Sequence, residues 1–362
     1  MSLDKLELDK NKLKNFIRDK KKSLAGKVII PAHHYQTQDI VDFADFVGDS
    51  YKLAVRCRDL DAKYIIFCGV RFMAEAANIV SKDFQKIIIP DLDSGCPLAD
   101  KITYKEFEKA FNIIKSQTES EIVPVVYVNS SAEAKGFTGK NGGATCTSSN
   151  ADKVVKYFLD KGKAVFFAPD FNLGINTSKK LNLAKNRTVK VNRDFSFEKL
   201  ANVSTAKLFI WDGFCYVHKI FSVTDIKNLR AKYSKIKIIV HPECDREVLQ
   251  SADYSGSTQQ IFNFVKNSPS GSTWGIGTEY NFVKRLNDEN PHKKVIPLRK
   301  SICRDMSKID LVKLATSLQS IENCLNGACE LIYEVKVPQN IKENAAIALN
   351  KMIEIVSSEL PE

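Results

Sequence analysis

Three cysteines lie where a thiolate could act as a metal ligand. Each lies within a few residues of the end of a short apolar run. Cys96 lies in DLDSGCPLAD, Cys215 in WDGFCYVH and Cys303 in LRKSICRDM. Zinc sites usually have four ligands and often contain CxxC pairs, and this sequence has no such pair. A [4Fe–4S] cluster bound by three cysteines would leave one iron open to a substrate, so that the iron could act as a Lewis acid.

Widely spaced cysteines are most often buried core residues, and that alternative stays open for these three. It is the preferred interpretation of Cys57, on a predicted helix, and of Cys68, in IIFCGV. The nine cysteines are an odd number and no export signal is recognised, so a disulfide framework is not expected. The cysteines without an assigned role are Cys146, Cys244, Cys324 and Cys329.

Polar clusters form the second group of residues that could do chemistry. They are PAHHYQ at 31–36, YVNSSAE at 127–133 and HPECD at 241–245, and each follows an apolar run. Imidazole can donate to an anionic oxygen and move protons near neutral pH, although a single histidine is more often structural. Three histidines in equivalent clusters at strand ends, His33, His218 and His241, favour a binding site.

The apolar runs predict nine buried strands in three sets of three. Each set begins with a strand leading into a polar cluster and ends with a strand followed by one of the three cysteines. Segments of helical pattern lie between many of the strands, which predicts an α/β architecture whose ligands bind at the carboxyl ends of the strands. The predicted strands are 27–31, 64–67, 86–89, 122–128, 164–167, 207–210, 235–240, 273–276 and 295–297.

We therefore predict three homologous three-layer α/β/α units, with short parallel sheets arranged around a pseudo-threefold axis. The units are predicted at 1–105, carrying an N-terminal amphipathic helix, at 106–230 and at 231–362. The chain after residue 304 is predicted to be mainly helical and to pack back on the core.

Composition limits the classes of function. Of the 362 residues, 44% are hydrophobic and 27% charged, which is typical of a globular protein, and no apolar run is long enough for a membrane helix. The net charge is +11, but the lysines are spread along the chain and no nucleic-acid-binding motif occurs, so neither nucleic acid nor membrane is an expected partner. We expect a cytoplasmic enzyme.

A dozen motifs in order make the sequence resemble the quinolinate synthase family over about residues 25–355. The resemblance implies three α/β units around a central [4Fe–4S] cluster, and condensation of iminoaspartate with dihydroxyacetone phosphate to quinolinate, phosphate and two waters. It also leaves room for transient contact with the enzyme that produces iminoaspartate. The motifs are AHHYQ, ADFVGDS, FCGVRFMAE, SGCPLAD, VVYVNSSAEAK, TCTSSNA, FAPDFNLG, GFCYVH, HPEC, ADYSGST, GTEYNFVKRL and CRDM.

The resemblance implies roles for individual residues. The cluster ligands would be Cys96, Cys215 and Cys303, the same cysteines that the repeat pattern selects. Tyr35 and Tyr127 resemble catalytic residues of the family, and Glu243 resembles its general base, which would need a pKa raised by a dry site. The implied substrate-binding residues are His33, Ser50, Tyr127, Asn129, Ser148, His218, His241, Glu243, Ser257 and Thr258.

Each of these roles has a simpler alternative. Ser50, Ser148, Ser257 and Thr258 could only cap helices, although capping and anion binding can coexist at a helix N-terminus. Glu243 could form an ordinary ion pair at a strand end. For the whole chain, the alternatives are another cluster-dependent dehydratase, or a non-enzymatic iron or redox sensor or nucleic-acid binder.

Overall fold

The computed structural model describes residues 9–198, 202–327 and 331–358. The first eight residues of the predicted N-terminal helix and Cys329 lie outside the described residues. Within the described part of the chain, no helix is long and apolar enough to cross a membrane. A cytoplasmic location stays a prediction.

The chain divides into two compact units. The first unit combines Met1–Cys96 with Ile302–Val337, and the second combines Pro97–Ser301 with Pro338–Glu362. The three-unit boundaries at residues 105 and 230 stay predictions.

Parallel pairing characterises every sheet among the described residues. The strands are β1 (Val28–Ile29), β2 (Pro31–His33), β3 (Phe46–Gly48), β4 (Tyr64–Ile66), β5 (Lys86–Ile88), β6 (Ile122–Tyr127), β7 (Ala144–Cys146), β8 (Ala164–Ala168), β9 (Thr188–Val191), β10 (Leu208–Trp211), β11 (Lys237–Val240), β12 (Tyr254–Ser255), β13 (Thr273–Gly277) and β14 (Lys294–Pro297). Because central parallel strands are covered on both faces, strands such as β4, β6, β8 and β10 consist almost entirely of buried apolar residues.

Helices connect most consecutive strands, as expected for parallel sheets. They are α1 (Lys10–Ser23), α2 (Gln38–Val41), α3 (Ser50–Arg58), α4 (Arg71–Val80), α5 (Tyr104–Gln117), α6 (Ala132–Lys140), α7 (Ala151–Asp160), α8 (Phe171–Lys180), α9 (Tyr216–Lys219), α10 (Val223–Lys232), α11 (Arg246–Ser251), α12 (Thr258–Asn267), α13 (Tyr280–Asp288), α14 (Leu311–Leu325) and α15 (Gln339–Ser357). Single 3₁₀ turns span Ala99–Lys101, Lys185–Arg187 and Met306–Lys308.

The three predicted sets of strands lie in three different sheets, with strand orders β1-β4-β5, β7-β6-β8-β10-β9 and β12-β11-β13-β14. In each sheet the three predicted strands are neighbours in chain order. In the second and third sheets a short extra strand, β7 or β12, pairs with the outer edge of the first predicted strand. Strands β2 and β3 pair with each other in a separate two-stranded sheet. This repeated topology confirms the prediction of an α/β protein with short parallel sheets.

All nine predicted runs form strands, and four more strands, β3, β7, β9 and β12, had no clear sequence signal. The predicted run 27–31 divides into β1 and β2, which pair with different strands. The missed strands contain two to four residues, and β12 is exposed at both positions, so they lack the long apolar pattern of a buried strand.

Candidate active site

In the first unit, the loop after β2 holds two of the predicted residues close together. The rings of His33 and Tyr35 pack edge to face with centroids 4.6 Å apart, and the Tyr35 backbone N–H donates to His33 Nδ1 at 3.2 Å. Because Nδ1 accepts this bond, the neutral imidazole carries its proton on Nε2. A proton on Nε2 makes this nitrogen a hydrogen-bond donor, and the substrate-binding role of His33 stays a prediction.

The loops that carry Cys96 and Cys303 are bonded to each other in this unit. Ser94 Oγ lies 2.8 Å from the carbonyl oxygen of Asp305, so residues two positions from each cysteine are in contact. Lys308 Nζ donates to the Asp305 carboxylate at 2.8 Å and to the carbonyl of Asp93. These bonds fix both loops at the same edge of the unit.

The loop after β2 is joined to this edge as well. Gln36 Nε2 donates to the carbonyl oxygen of Met306 at 3.0 Å, and both residues are fully or almost fully buried. The first unit therefore brings together the His33–Tyr35 motif and two of the three predicted cysteine ligands.

Ser50 is the first residue of α3 rather than its cap. The carboxylate of Asp49 accepts the Lys52 backbone N–H at 3.0 Å and caps the helix instead. Any anion bound by Ser50 would therefore lie beside a carboxylate. The position of Ser50 at a helix N-terminus was predicted, but its substrate-binding role stays a prediction.

In the second unit, Glu243 is the centre of a buried polar cluster. Tyr127 Oη donates to Glu243 Oε1 at 2.6 Å, and His218 Nδ1 lies 2.8 Å from Oε2. The other nitrogen of the same imidazole, Nε2, lies 3.0 Å from Thr278 Oγ1. The four side chains thus form a continuous hydrogen-bonded chain from a phenol, through a carboxylate and an imidazole, to a hydroxyl.

His241 stacks on this chain. Its ring lies 4.1 Å from that of His218, at 14° to it. Three predicted substrate-binding residues, His218, His241 and Glu243, are each 2–3% exposed, which shows that the sheet ends enclose them almost completely.

Burial and charge set the protonation of this cluster. Burial would raise the pKa of Glu243, but the charges of His218 and His241, with hydrogen bonds from His218 and Tyr127, outweigh it and lower the pKa to about 2. Burial, and then repulsion by His218, lowers the pKa of His241 to about 3. Glu243 is therefore an anion and His241 neutral at pH 7. The pKa of Glu243 is lowered overall, whereas a role as general base would need it to be raised.

The hydroxyl of Tyr127 is affected by the same charge. Burial, followed by the negative charge of Glu243, raises the pKa of Tyr127 well above its usual value, while a hydrogen bond with Ser148 acts in the opposite direction. Ser148 is thus next to Tyr127, as its predicted role requires. Tyr127 stays protonated at neutral pH and acts as a hydrogen-bond donor.

Asn129 follows β6 on the same sheet as Tyr127. Its amide oxygen is buried and has no hydrogen-bond partner among the described residues. Such an oxygen is costly to leave unpaired, so a substrate N–H or O–H would be a natural partner.

Ser257 and Thr258 begin α12 in a capping box. Ser257 Oγ accepts the Gln260 backbone N–H at 3.4 Å, while the Gln260 side chain accepts the Ser257 N–H at 2.8 Å. The capping role is therefore confirmed for Ser257, while Thr258 is the first residue of the helix, and anion binding by both residues stays a prediction.

Cys215 caps the short helix α9, one turn before His218. Within the described residues, Cys215, His218 and Glu243 form the one group of three whose ligand atoms, all within 4.8 Å of one another, could hold a metal ion. Both nitrogens of His218 already have hydrogen-bonding neighbours, so an ion bound by His218 would replace its hydrogen bond with Glu243 or with Thr278.

The three predicted cluster ligands, Cys96, Cys215 and Cys303, are half-buried, whereas Cys57 and Cys68 are buried. Burial raises the pKa of each of the latter two thiols to about 12, which confirms the core interpretation. Cys146 and Cys244 are also buried, and burial raises the pKa of both.

Sequence reasoning missed two residues of the cluster, Thr278 and Asp170. Both lie in motifs of the family, GTEYNFVKRL and FAPDFNLG, within two residues of a strand end, so strand-end position was the available signal. Burial, and then the charge of Glu243, raises the pKa of Asp170 well above its usual value. Backbone N–H groups of Leu173, Cys215 and Asn172 partly offset this shift by stabilising the charged form.

Fold and site together define a parallel α/β enzyme with a buried carboxylate–imidazole–hydroxyl chain at the carboxyl ends of its strands. Comparison with known proteins narrows the class. The family described as Quinolinate synthetase A protein matches residues 15–354. The chain belongs to this family.

Curated relatives named quinolinate synthase are similar over nearly their whole length. One from Geobacillus sp. (strain WCH70) is 40% identical over 98% of this chain and 94% of its own. Another from Bacillus cytotoxicus is 40% identical over 94% and 92%, and one from Bacillus cereus (strain Q1) is 39% identical over the same shares.

Proposed function

We propose that this chain is a quinolinate synthase of NAD biosynthesis, which condenses iminoaspartate with dihydroxyacetone phosphate to give quinolinate, phosphate and two waters. The observation that carries the proposal is the buried cluster around Glu243, which joins four polar side chains where the family motifs predict the active site. Family membership and the similarity to quinolinate synthases support it.

The proposed cofactor is a [4Fe–4S] cluster bound by Cys96, Cys215 and Cys303. Three half-buried thiols, each in a loop after the last strand of its set, suit the thiolate chemistry that such clusters need. When bound, the cluster would supply a Lewis-acidic iron. The predicted arrangement of three units about a pseudo-threefold axis is part of this proposal, and the repeated strand order supports it.

The side chains would divide the acid–base work. Glu243 is ionised at pH 7, so it can accept a proton from a substrate carbon, but a pKa near 2 makes it a weak base by itself. The hydrogen bonds of Glu243 with Tyr127 and His218 can lengthen or shorten as the charge on the carboxylate changes. We propose that His218 holds this carboxylate through Nδ1, while its Nε2 is hydrogen-bonded to the hydroxyl of Thr278.

Tyr35 is proposed to transfer a second proton during dehydration. A phenol has an ordinary pKa of about 10, so Tyr35 would act mainly as a donor at neutral pH. His33, packed against it, would bind an anionic oxygen through Nε2.

Substrate anions and hydroxyls are proposed to bind to polar groups at strand and helix ends. The amide oxygen of Asn129 would accept from a substrate N–H, because it lacks a partner among the described residues. Neutral His241 would donate without bringing a full charge. The remaining proposed substrate contacts are Ser50, Ser148, Ser257 and Thr258.

The test is an anaerobic assay with both substrates, followed by detection of quinolinate, with iron and sulfide counted on the same preparation. We expect quinolinate formation, about four irons and four sulfides per chain, and loss of iron in Cys96→Ser, Cys215→Ser and Cys303→Ser. Cys57→Ser is the matched control, since Cys57 is a buried core residue. Full activity of iron-free protein would contradict the cofactor proposal.

Other outcomes would identify the alternatives. Iron and sulfide without quinolinate would indicate a different dehydratase or a sensor. One zinc per chain, lost in Cys215→Ser but kept in Cys96→Ser, would instead indicate a mononuclear site at Cys215, His218 and Glu243. Binding to DNA or RNA with a steep salt dependence would favour a nucleic-acid binder.

A further inference from the structure

Helix α8 holds the loop that carries Glu243 through two asparagines four residues apart. Asn172 Nδ2 donates to the carbonyl of Glu243 at 3.1 Å and to the Asp245 carboxylate at 2.9 Å. Asn176 Nδ2 donates to the carbonyls of Pro242 at 2.9 Å and Cys244 at 3.2 Å. Two amide groups therefore hold three consecutive carbonyls of one loop.

The spacing of the two asparagines makes this possible. Residues i and i+4 of a helix lie on the same face, one turn apart, so both amides point to the same side of α8. Each amide has two N–H donors, and both donors of each are used. The loop is thus attached by four hydrogen bonds along its length rather than at one point.

The helix itself is fixed on the sheet. Gly174, between the two asparagines, lets α8 approach closely, because a Cβ there would lie 2.5 Å from Ile210 Cγ2 and 3.0 Å from Phe167 Cδ1. Its N-terminus is capped by Asp170, whose carboxylate accepts the Leu173 N–H at 2.6 Å. Because its packing and its cap restrict movement of α8, the helix can hold the loop in one position.

We propose that Asn172 and Asn176 are positioning residues that place the Glu243 carboxylate between Tyr127 and His218. The inference rests on the proposed function only for the role of Glu243 in the reaction. The amides of both asparagines donate to backbone carbonyls of the loop, so their effect on the carboxylate passes through the loop backbone.

The reason that position matters is geometric. Reacting groups displaced by about 1 Å can lose about 100-fold in rate, and the Tyr127–Glu243 bond at 2.6 Å tolerates little movement. Without Asn172, the buried carbonyl of Glu243 loses the partner that orients its residue. We expect kcat to fall about 10- to 100-fold in Asn172→Ala and less in Asn176→Ala, which is half-buried.

The first measurement is hydrogen exchange of the metal-free chain, which needs no activity. We expect the backbone amides of His241, Glu243, Cys244 and Asp245 to exchange at least about tenfold faster in Asn172→Ala and in the double variant with Asn176→Ala. The control is Asn290→Ala, because Asn290 Nδ2 donates to the Leu286 carbonyl at 2.8 Å at the end of α13, away from the cluster. Unchanged exchange in the double variant would overturn the proposal.

The second measurement separates a positioning role from a general loss of stability. In a double-mutant cycle on kcat, Asn172→Ala should reduce activity strongly when Glu243 is present, and cause less than about a twofold further loss in Glu243→Gln. Equal effects in both backgrounds would overturn the role. If faster exchange is seen but the wild-type chain makes no quinolinate, the support of the loop stands and the proposed reaction fails.

Discussion

Replacement of Tyr127 by Phe tests whether the phenol and Glu243 act as a unit. Tyr127 is 4% exposed, and its hydroxyl donates to Glu243 Oε1 at 2.6 Å. Phenylalanine keeps the ring and removes only this donor. The variant therefore changes the surroundings of the carboxylate with little change in packing.

The size of the effect follows from the kind of bond. A hydrogen bond to a charged group contributes about 1.5–3 kcal/mol. Since one pKa unit corresponds to about 1.36 kcal/mol, the pKa of Glu243 should rise by about 1–2 units from its value of about 2. The direction is upward because the lost donor stabilised the charged form. If the transition state loses the same stabilisation of about 1.5–3 kcal/mol, kcat should fall about 10- to 100-fold.

The pKa of Glu243 can be measured by carbon NMR of labelled glutamate in the metal-free chain, and kcat by the anaerobic quinolinate assay. Tyr157→Phe is a matched control, because the Tyr157 hydroxyl accepts from Lys161 at 2.8 Å on the surface of α7. The control should leave both quantities unchanged. A Tyr127→Phe variant with an unshifted Glu243 and a kcat within twofold of wild type would refute the coupling.

Three further predictions follow from the structure. In the metal-free chain, His241 has a pKa of 6.5 when unfolded but of about 3 when folded. The free energy of unfolding should therefore decrease as the pH is lowered below 6.5, by about 2 kcal/mol at pH 5. Urea unfolding should show that this loss is smaller in His241→Asn. Ser94→Ala removes the Ser94 bond to the Asp305 carbonyl and should speed iron loss to a chelator, with Ser94→Thr restoring retention; equal rates would contradict the structural role of that bond. Gly139→Ala would put a Cβ 1.9 Å from the Asn344 carbonyl oxygen, so α6 and α15 must separate. Thermal unfolding should show that the free energy of unfolding falls by about 1–3 kcal/mol or more. An unchanged Tm would show that the two helices can move apart at no cost.

The extent of sequence-based prediction differs between the fold and the site. The nine main strands were recognisable because buried parallel strands are continuous apolar runs, as in Ile122–Tyr127. The short strands β3, β7 and β12 were not, because two or three residues carry too little pattern. Helices such as Gln339–Ser357 were predicted because an amphipathic repeat over many residues is unambiguous.

The amino-acid sequence by itself determined which residue types stand at the strand ends, and hence the cysteines, Tyr127, His218 and Glu243 as candidates. Only the tertiary structure decided how they act on each other. The low pKa of Glu243 depends on His218 and Tyr127, which are 25 and 116 residues away in the chain. Thr278 and Asn172 likewise gain their roles from contact with distant residues. The physical reason is that protonation and hydrogen bonding depend on distance in space, which local sequence patterns do not contain.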